Sequence, residues 1–165
     1  AEYCNNRPLR IIGNLPYNIS TAVLFHLLKN HALIQDMHFM LQKEVVDRIA
    51  APVNDSNYGR LSVMLQTWFD TQPLFTVSAG CFRPAPKVES AIIKLTPRNP
   101  GIEHAEEYEK LVKQAFSQRR KTLRNTLKKV CPEDRFAAAG IDPSRRPQEL
   151  SVDEYLRLHG ALIAK

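Results

Sequence analysis

The sequence predicts an α/β fold, with an open sheet in the first part of the chain and a small all-helical domain after it. In the first part, short apolar runs alternate with segments at helical spacing, which is the pattern of strand–helix–strand units. A cluster of chain breakers, Pro-Arg-Asn-Pro-Gly at 97–101, ends this alternation. We therefore expect two domains, residues 1–97 and residues 98–165.

The first domain begins with a predicted buried strand over residues 9–12, a short apolar run with β-branched residues. Ser20 suits the N-cap of a helix over about residues 20–30. A second buried strand is expected over 37–41, followed by a helix over 43–51 that a proline stops. Because a strand, a helix and another strand follow in turn, we expect a parallel sheet.

Three further elements complete the first domain: a helix over 61–66, an extended run over 68–77 and a strand over 90–95. In the second domain, an apolar stripe from Tyr108 to Phe116 indicates a helix that packs on one face. A last helix, to about residue 164, is predicted by a capping box at Ser151, with Leu150 placed to pack against Tyr155.

Composition excludes several classes of protein. The three cysteines, Cys4, Cys81 and Cys131, lack any Cys-x-x-Cys spacing, and the histidines form no metal-binding pair, so neither a disulfide framework nor a metal site is expected. No apolar run approaches the roughly 20 residues that span a bilayer. We expect a cytoplasmic protein with no membrane partner. The net charge of +6 favours an anionic partner such as nucleic acid without establishing one.

Gly13-Asn14-Leu15-Pro16-Tyr17 follows the first predicted strand. In an open α/β sheet, ligands bind beyond the carboxyl ends of the strands. A side-chain amide, a proline and a tyrosine face suit a flat heterocycle with an exocyclic amino group, of which adenine is the obvious candidate. Taken alone, the same residues fit a strand-to-helix turn equally well.

Adenine N6 is a weak nucleophile because its lone pair is delocalised into the ring. We expect the Asn14 side-chain oxygen and a main-chain carbonyl near Leu15 or Pro16 to accept its hydrogens and direct the lone pair. Tyr17 would stack on a base extruded from its helix, and Phe82 could supply the second face. By itself, Phe82 fits a core aromatic beside a proline turn slightly better.

Basic residues occur in two segments. Arg83 and Lys87 lie in the loop around Phe82, where solvated surface charge is the simpler interpretation. Residues 119–129 hold six basic residues and no acid, and we expect a helix with its apolar side at Leu123, Leu127 and Val130. A solvated face competes with phosphate contact, which we favour. The candidate RNA-binding residues are Arg83, Lys87, Arg119, Arg120, Lys121, Arg124 and Lys128.

Two motifs in this order resemble one family. Asn-Leu-Pro-Tyr-Asn-Ile-Ser at 14–20 and Phe-Arg-Pro-Ala-Pro-Lys-Val-Glu-Ser at 82–90 are similar to motifs of the rRNA adenine N6,N6-dimethyltransferases of the KsgA type. Residues 58–63 and 116–123 are also similar to that family, so the resemblance covers nearly the whole chain.

The resemblance implies that residues 1–97 are the carboxyl-terminal half of a Rossmann-like methyltransferase sheet and that a small helical domain follows them. It implies transfer of two methyl groups from S-adenosylmethionine to N6 of each of two adjacent adenines near the 3′ end of small-subunit rRNA, during maturation of the small ribosomal subunit. The catalytic residues would be Asn14, Leu15, Pro16, Tyr17 and Phe82. Asn14 would also lie against the cofactor, and the helical domain would dock on the subunit.

One departure from the family is large. Its members begin with a glycine-rich cofactor loop and acidic residues for the ribose and the adenine ring, yet no Gly-x-Gly occurs here. We therefore expect the carboxyl-terminal portion of a larger enzyme, with an incomplete cofactor pocket and no activity alone. The strand at 9–12 would lack a neighbour, and we expect self-association through this exposed edge.

Other functions are compatible with these residues. A non-catalytic RNA-binding module for ribosome assembly would keep the same surface, and a large-subunit rRNA adenine methyltransferase would share the motif at 14–17. DNA adenine enzymes usually carry proline where Leu15 stands, which argues against DNA. Residues 58–63 and 116–123 favour the small-subunit enzymes over the large-subunit ones.

Overall fold

The computed structural model describes residues 7–164, which form two compact units. The first unit contains residues 7–50 and 65–99, and the second contains 51–64 and 100–164. The expected α/β class is confirmed, with the sheet in the first unit and helices in the second. The division differs from the expected break near residue 97 because residues 51–64 belong to the second unit.

The sheet has four strands: β1 (Leu9–Asn14), β2 (Ile34–Gln42), β3 (Phe69–Val77) and β4 (Ser90–Pro97). Their order is β1-β2-β4-β3, with β1 parallel to β2 and β4 antiparallel to both of its neighbours. The expectation of a parallel sheet is therefore right for the first pair and wrong for the rest. β3 returns to β4 through a loop without the crossover helix that a parallel connection needs.

The helices that begin in the first half of the chain are α1 (Ser20–Lys29), α2 (Lys43–Ala50) and α3 (Arg60–Trp68). They match the predicted helices closely, with one correction at the start of α1. Ile19 occupies the N-cap position and Ser20 is the first helical residue. The Ser20 hydroxyl donates a hydrogen bond to the Tyr17 carbonyl at 3.2 Å instead of capping the helix.

Only one face of the sheet is fully buried. Met37, Phe39 and Leu41 alternate along β2 and are inaccessible, and α2 packs against β2, β3 and β4. On the other face, His38 and Met40 are only half-buried. At the outer strands Ile12 is 76% exposed and Phe75 is 62% exposed. The apolar run at 9–12 is therefore not a buried strand, which corrects the sequence-based expectation.

β1 lies at one edge of the sheet and, among residues 7–164, pairs only with β2. An ion pair reinforces this pairing: the Arg10 Nε and Nη2 atoms each donate to the Asp36 carboxylate at 2.8 Å. These hydrogen bonds hold the pKa of the Asp36 carboxyl below its usual value. The charged pair fixes β1 on β2, while the outer edge of β1 has no partner strand in the described part of the chain.

The second unit contains α4 (Ala105–Ala115), α5 (Leu123–Thr126), α6 (Glu133–Ala139) and α7 (Val152–Ile163). Three fully buried tyrosines form its centre: Tyr58, Tyr108 and Tyr155. Two of their hydroxyls donate hydrogen bonds to main-chain carbonyls. The Tyr58 hydroxyl donates to the Leu150 carbonyl at 2.9 Å, and the Tyr155 hydroxyl donates to the Pro147 carbonyl at 2.8 Å. The rings supply apolar packing without leaving these two hydroxyls unsatisfied. No helix in the described part of the chain is long and apolar enough to cross a membrane.

The predicted basic helix over 119–129 is wrong: only Leu123–Thr126 is helical, and turns flank it. Long-range hydrogen bonds replace helical ones at the start of this short helix. The Leu123 amide donates to the Arg145 carbonyl at 2.8 Å, and the Arg124 amide donates to the Pro143 carbonyl at 2.9 Å. Like charges at helical spacing disfavour a longer helix. Leu123 and Leu127 are buried as expected, whereas Val130 is exposed.

The capping box that opens α7 is confirmed. The Glu154 amide donates to the Ser151 hydroxyl, and the Ser151 amide donates to the Glu154 carboxylate. Arg145 also donates to the Glu154 carboxylate, with 3.1 Å between Arg145 Nη2 and Glu154 Oε2. The Arg145 hydrogen bond is the main reason that the pKa of Glu154 falls to about 2.

We predict that Glu154→Gln lowers stability in a pH-dependent way. The carboxyl has a pKa of about 2 when folded against an ordinary value of 4.5, so its stabilisation is complete above about pH 4.5 and is lost as the pH falls toward 2. The variant should lose on the order of 2 kcal/mol near neutral pH and little near pH 2. Urea unfolding at a series of pH values measures this difference.

Asp153→Asn is the matched control, because Asp153 is exposed on the same first turn of α7. It should cost only a few tenths of a kcal/mol through the helix dipole. A Glu154→Gln deficit that stays constant from neutral pH to pH 2 would contradict the role of the ionised carboxylate.

Candidate functional site

The loop that carries Asn14 begins where the parallel pairing of β1 and β2 ends. The register places Asn14, the last residue of β1, opposite Met40 of β2. The next amide, that of Leu15, donates to the Met40 carbonyl at 3.2 Å, which holds the loop against the second strand. The motif therefore lies at the carboxyl ends of two parallel strands, where open α/β sheets bind their ligands.

In the turn from β1 into α1, some hydrogen-bond acceptors have partners within the turn and others do not. The Pro16 carbonyl accepts the Ile19 amide at 3.2 Å, and the Tyr17 carbonyl accepts the Ser20 hydroxyl. The Leu15 carbonyl accepts no hydrogen bond within residues 7–164. The Asn14 side chain is exposed and has no hydrogen-bond partner in that same range. Two acceptors next to each other in sequence are thus available to a ligand.

A cavity of about 300 Å³ opens beside this turn. It brings together the five residues that the sequence analysis assigned to one site, together with one residue of β2 and two prolines of the second loop. The lining residues are Asn14, Leu15, Pro16, Tyr17, Met40, Phe82, Pro84 and Pro86. The two motifs, which are far apart in sequence, therefore form the walls of one pocket.

The second loop reaches the pocket through a 3₁₀ turn at Ala79–Cys81, after which Phe82 is half-buried and lines the cavity. Two contacts fix the far end of this loop. The Lys43 amide donates to the Glu89 carbonyl at 2.9 Å, and the Tyr17 hydroxyl lies 2.7 Å from the buried Ser90 hydroxyl. The second contact joins the two motifs directly.

The candidate RNA-binding residues lie outside the pocket. Arg83 and Lys87 are exposed and do not line it. In the second unit, the Arg119 guanidinium donates to the Ser56 carbonyl, and Arg124 pairs with Glu133 at 2.6 Å. The other three candidates of that segment are exposed and have no ion-pair partner among residues 7–164. They are Arg120, Lys121 and Lys128.

Sequence reasoning missed Met40 and gave no role to Ser90. Met40 lies at the end of the second predicted strand, and the parallel pairing of strand ends was a signal that could have found it. Ser90 was part of the second motif, but its contact with Tyr17 depends on the antiparallel pairing of β4 with β2, which the expected parallel sheet excluded.

The pocket wall suits a base better than it suits S-adenosylmethionine. The cofactor carries a carboxylate, an ammonium, a sulfonium and ribose hydroxyls, which need several polar partners. The lining residues supply one side-chain amide, one phenol and otherwise apolar groups. None of them is acidic or basic. These lining residues therefore fit a flat ring and do not by themselves form a binding site for the whole of S-adenosylmethionine.

The possible metal ligands and the free cysteines of the described residues lie as follows. Within residues 7–164, no three His, Cys, Asp or Glu side chains are grouped as metal ligands. Cys81 is free and exposed, and Cys131 is free and buried, which raises the pKa of its thiol to about 11. Cys4 lies outside the described residues.

Two solved structures similar to this chain are a dimethyladenosine transferase and a 23S rRNA methyltransferase. A dimethyladenosine transferase from Plasmodium falciparum matches with a TM-score of 0.80 and 26% identity, over 90% of this chain and 64% of that one. The 23S rRNA methyltransferase ErmE matches with a TM-score of 0.69 and 27% identity, over 94% and 66%. The fold of the chain is thus that of Rossmann-like methyltransferases.

Sequence comparison gives a consistent result. The protein named ribosomal RNA small subunit methyltransferase A from Nitrosococcus oceani is 52% identical to this chain over 93% of its length. The protein of the same name from Saccharophagus degradans is 55% identical over 94% of this chain. The chain spans 59% of the length of each of these curated relatives. The family described as "Ribosomal RNA adenine dimethylase" matches residues 2–163. The chain therefore belongs to the ribosomal RNA adenine dimethylase family.

Proposed function

We propose that the full-length protein uses S-adenosylmethionine to dimethylate N6 of two adjacent adenines near the 3′ end of small-subunit rRNA, during maturation of the small ribosomal subunit in the cytoplasm. The observation that carries this proposal is the single pocket formed by Asn14, Leu15, Pro16, Tyr17 and Phe82. Identities of 52 and 55% to proteins named ribosomal RNA small subunit methyltransferase A support the small-subunit substrate.

The free acceptors of the turn suit the adenine amino group. The Asn14 side-chain oxygen would accept one N6 hydrogen and the Leu15 carbonyl the other. The Pro16 carbonyl is less suitable because it already accepts the Ile19 amide. Two acceptors on the amino group weaken the delocalisation of its lone pair and orient that lone pair for attack.

Tyr17 and Phe82 supply aromatic surface for a base taken out of its stack. Stacking on such side chains contributes about 1–3 kcal/mol per base, which offsets the cost of extruding the adenine. A cavity of about 300 Å³ is at the small end of the range of ligand pockets and is large enough for one purine. The pocket therefore favours a flipped adenine in a fixed orientation.

The methyl donor requires residues beyond those of the pocket. When bound, S-adenosylmethionine supplies an electrophilic methyl group, and Asn14 is the pocket residue that would lie against it. Because the pocket lacks partners for the charged and ribose groups of the cofactor, we propose that this chain alone does not complete the reaction. The regions of the relatives that it does not span would supply those partners.

We predict that Asn14→Ala in the full-length protein slows methylation severely and leaves RNA binding intact. Removal of the amide takes away one acceptor of the amino group, and loss of such a group costs about 10²- to 10³-fold in rate. Mass spectrometry of methylated adenine in small-subunit rRNA measures the rate, and filter binding measures the affinity. The present chain alone, assayed in the same way, should form no product.

Asn18→Ala is the matched control, because Asn18 is an exposed asparagine of the same turn that does not line the pocket. It should retain near-native activity. Retained methylation in Asn14→Ala would reject the role of Asn14, and equal losses in the two variants would indicate a general disturbance of the turn. Intact RNA binding without any methylation in the native protein would favour the assembly-module alternative.

We propose that Arg83, Lys87 and the basic residues of 119–128 contact RNA phosphates, with unequal contributions. Arg120, Lys121 and Lys128 are exposed and have no ion-pair partner in the described range, so their charges are available. Arg119 and Arg124 already bind a carbonyl and a carboxylate. An RNA phosphate would have to compete with those groups.

We predict that Arg120→Ala weakens RNA binding and reduces the slope of log K against log salt by about one, because one phosphate contact is lost. Lys110→Ala removes one exposed charge from α4, outside the basic segment, and should leave the slope unchanged. Glu133→Gln should increase affinity by releasing Arg124. Equal slopes for Arg120→Ala and the native protein would mean that this charge is merely solvated.

The outer edge of β1 supports a further proposal, that this chain associates with a second copy of itself through residues 9–12. Leu9 is 40% exposed and Ile12 is 76% exposed on an edge strand, a combination that favours pairing between chains. We predict concentration-dependent association in sedimentation equilibrium, which Ile12→Lys abolishes. Val130→Lys alters an exposed apolar residue that is not part of any strand and should have no effect. A native chain that is monomeric at every concentration would reject the proposal.

A further inference from the structure

The hydroxyls of Tyr17 and Ser90 lie 2.7 Å apart, which is the separation of a good hydrogen bond between hydroxyl groups. Tyr17 belongs to the turn after β1 and lines the pocket. Ser90 is the first residue of β4 and does not line the pocket. The contact is the one side-chain hydrogen bond, among those of the described residues, that joins the Asn14–Tyr17 turn to the strand that follows the Phe82 loop.

Ser90 is a rigid partner for this bond. It is fully buried, and it pairs with Gln42 of β2 on one side and with Val77 of β3 on the other. A residue hydrogen-bonded into a central strand has little freedom to move, so the position of its side chain is set by the sheet. Tyr17, by contrast, is half-buried on a turn and depends on its contacts for its orientation.

We propose that Ser90 is a positioning residue, which holds the Tyr17 ring as a preformed wall of the pocket so that the target base stacks in the orientation required for methyl transfer. This inference rests on the proposed function of the pocket. Ser90 acts through Tyr17 and does not touch the base. Without the bond, the ring could turn away from the cavity, and part of the binding free energy of the base would be spent on ordering it.

The position of the bond determines which kinetic constant responds. Affinity for RNA comes mainly from phosphate contacts, whereas the two hydroxyls are hydrogen-bonded to each other. Orientation of the base against the methyl donor affects the chemical step. Loss of the bond should therefore lower kcat and leave the KM for RNA almost unchanged.

The test is a double-mutant cycle of Tyr17→Phe and Ser90→Ala in the full-length protein, with small-subunit particles as substrate. Each single variant should lose about tenfold in kcat, with KM within about twofold of the native value, because one hydrogen bond contributes on that scale. The double variant should also lose about tenfold, since both changes remove the same interaction. Thermal unfolding of each variant verifies that it is folded at the assay temperature.

Ser62→Ala is the matched control. Ser62 is equally buried, and its hydroxyl accepts a hydrogen bond from the Gly59 amide, but it does not line the pocket. It should lower the melting temperature without changing the kcat of the folded enzyme. If it lowers kcat as much as Ser90→Ala does, the effect of Ser90 is general destabilisation and the inference is rejected.

Other outcomes also overturn the inference. A native kcat in Ser90→Ala would reject the positioning role, and so would a loss confined to KM. A double variant with the product of the single losses, about 100-fold, would mean that the two hydroxyls act independently. Failure of the native protein to methylate adenine would instead reject the proposed function, so the two failures are distinguishable.

Discussion

The parallel pairing of β1 with β2 determines where the pocket forms. The pairing runs from Leu9 with Ile34 to Asn14 with Met40, with one irregularity between Leu9 and Arg10. The next amide still reaches the Met40 carbonyl. A shift of one residue would turn Asn14 to the opposite face of the sheet. The bidentate contact between Arg10 and Asp36 holds that register at the other end of the strand.

The pocket residues that could be predicted from the sequence are those whose positions depend on short stretches of the chain. Asn14 to Tyr17 and Phe82 lie in short stretches where proline and the end of an apolar run restrict the backbone, and these residues do line one cavity. Met40 and Ser90 carry no such local signal. Their positions follow from strand register and from an antiparallel strand, which depend on packing across the whole sheet.

The fold shows the same limit. Capping residues predicted α7 well because Ser151 and Glu154 satisfy each other within one turn. The basic segment looked helical because its apolar residues recur at helical spacing. The Leu123 and Arg124 amides instead donate to the carbonyls of Arg145 and Pro143. The spacing of apolar residues along the sequence cannot predict such long-range hydrogen bonds. The direction of β4 likewise depends on a connection that lacks a helix.

The half-open sheet has a thermodynamic consequence for this chain. Unfolding exposes the apolar surface of Met37, Phe39 and Leu41, which is buried in the native state. It exposes little further surface of Ile12 and Phe75, because these side chains already contact water in the folded protein. The heat capacity change of unfolding and the denaturant dependence of stability both scale with newly exposed surface. We therefore expect both quantities to be lower, and the stability curve flatter, than for a sheet of this size that is covered on both faces.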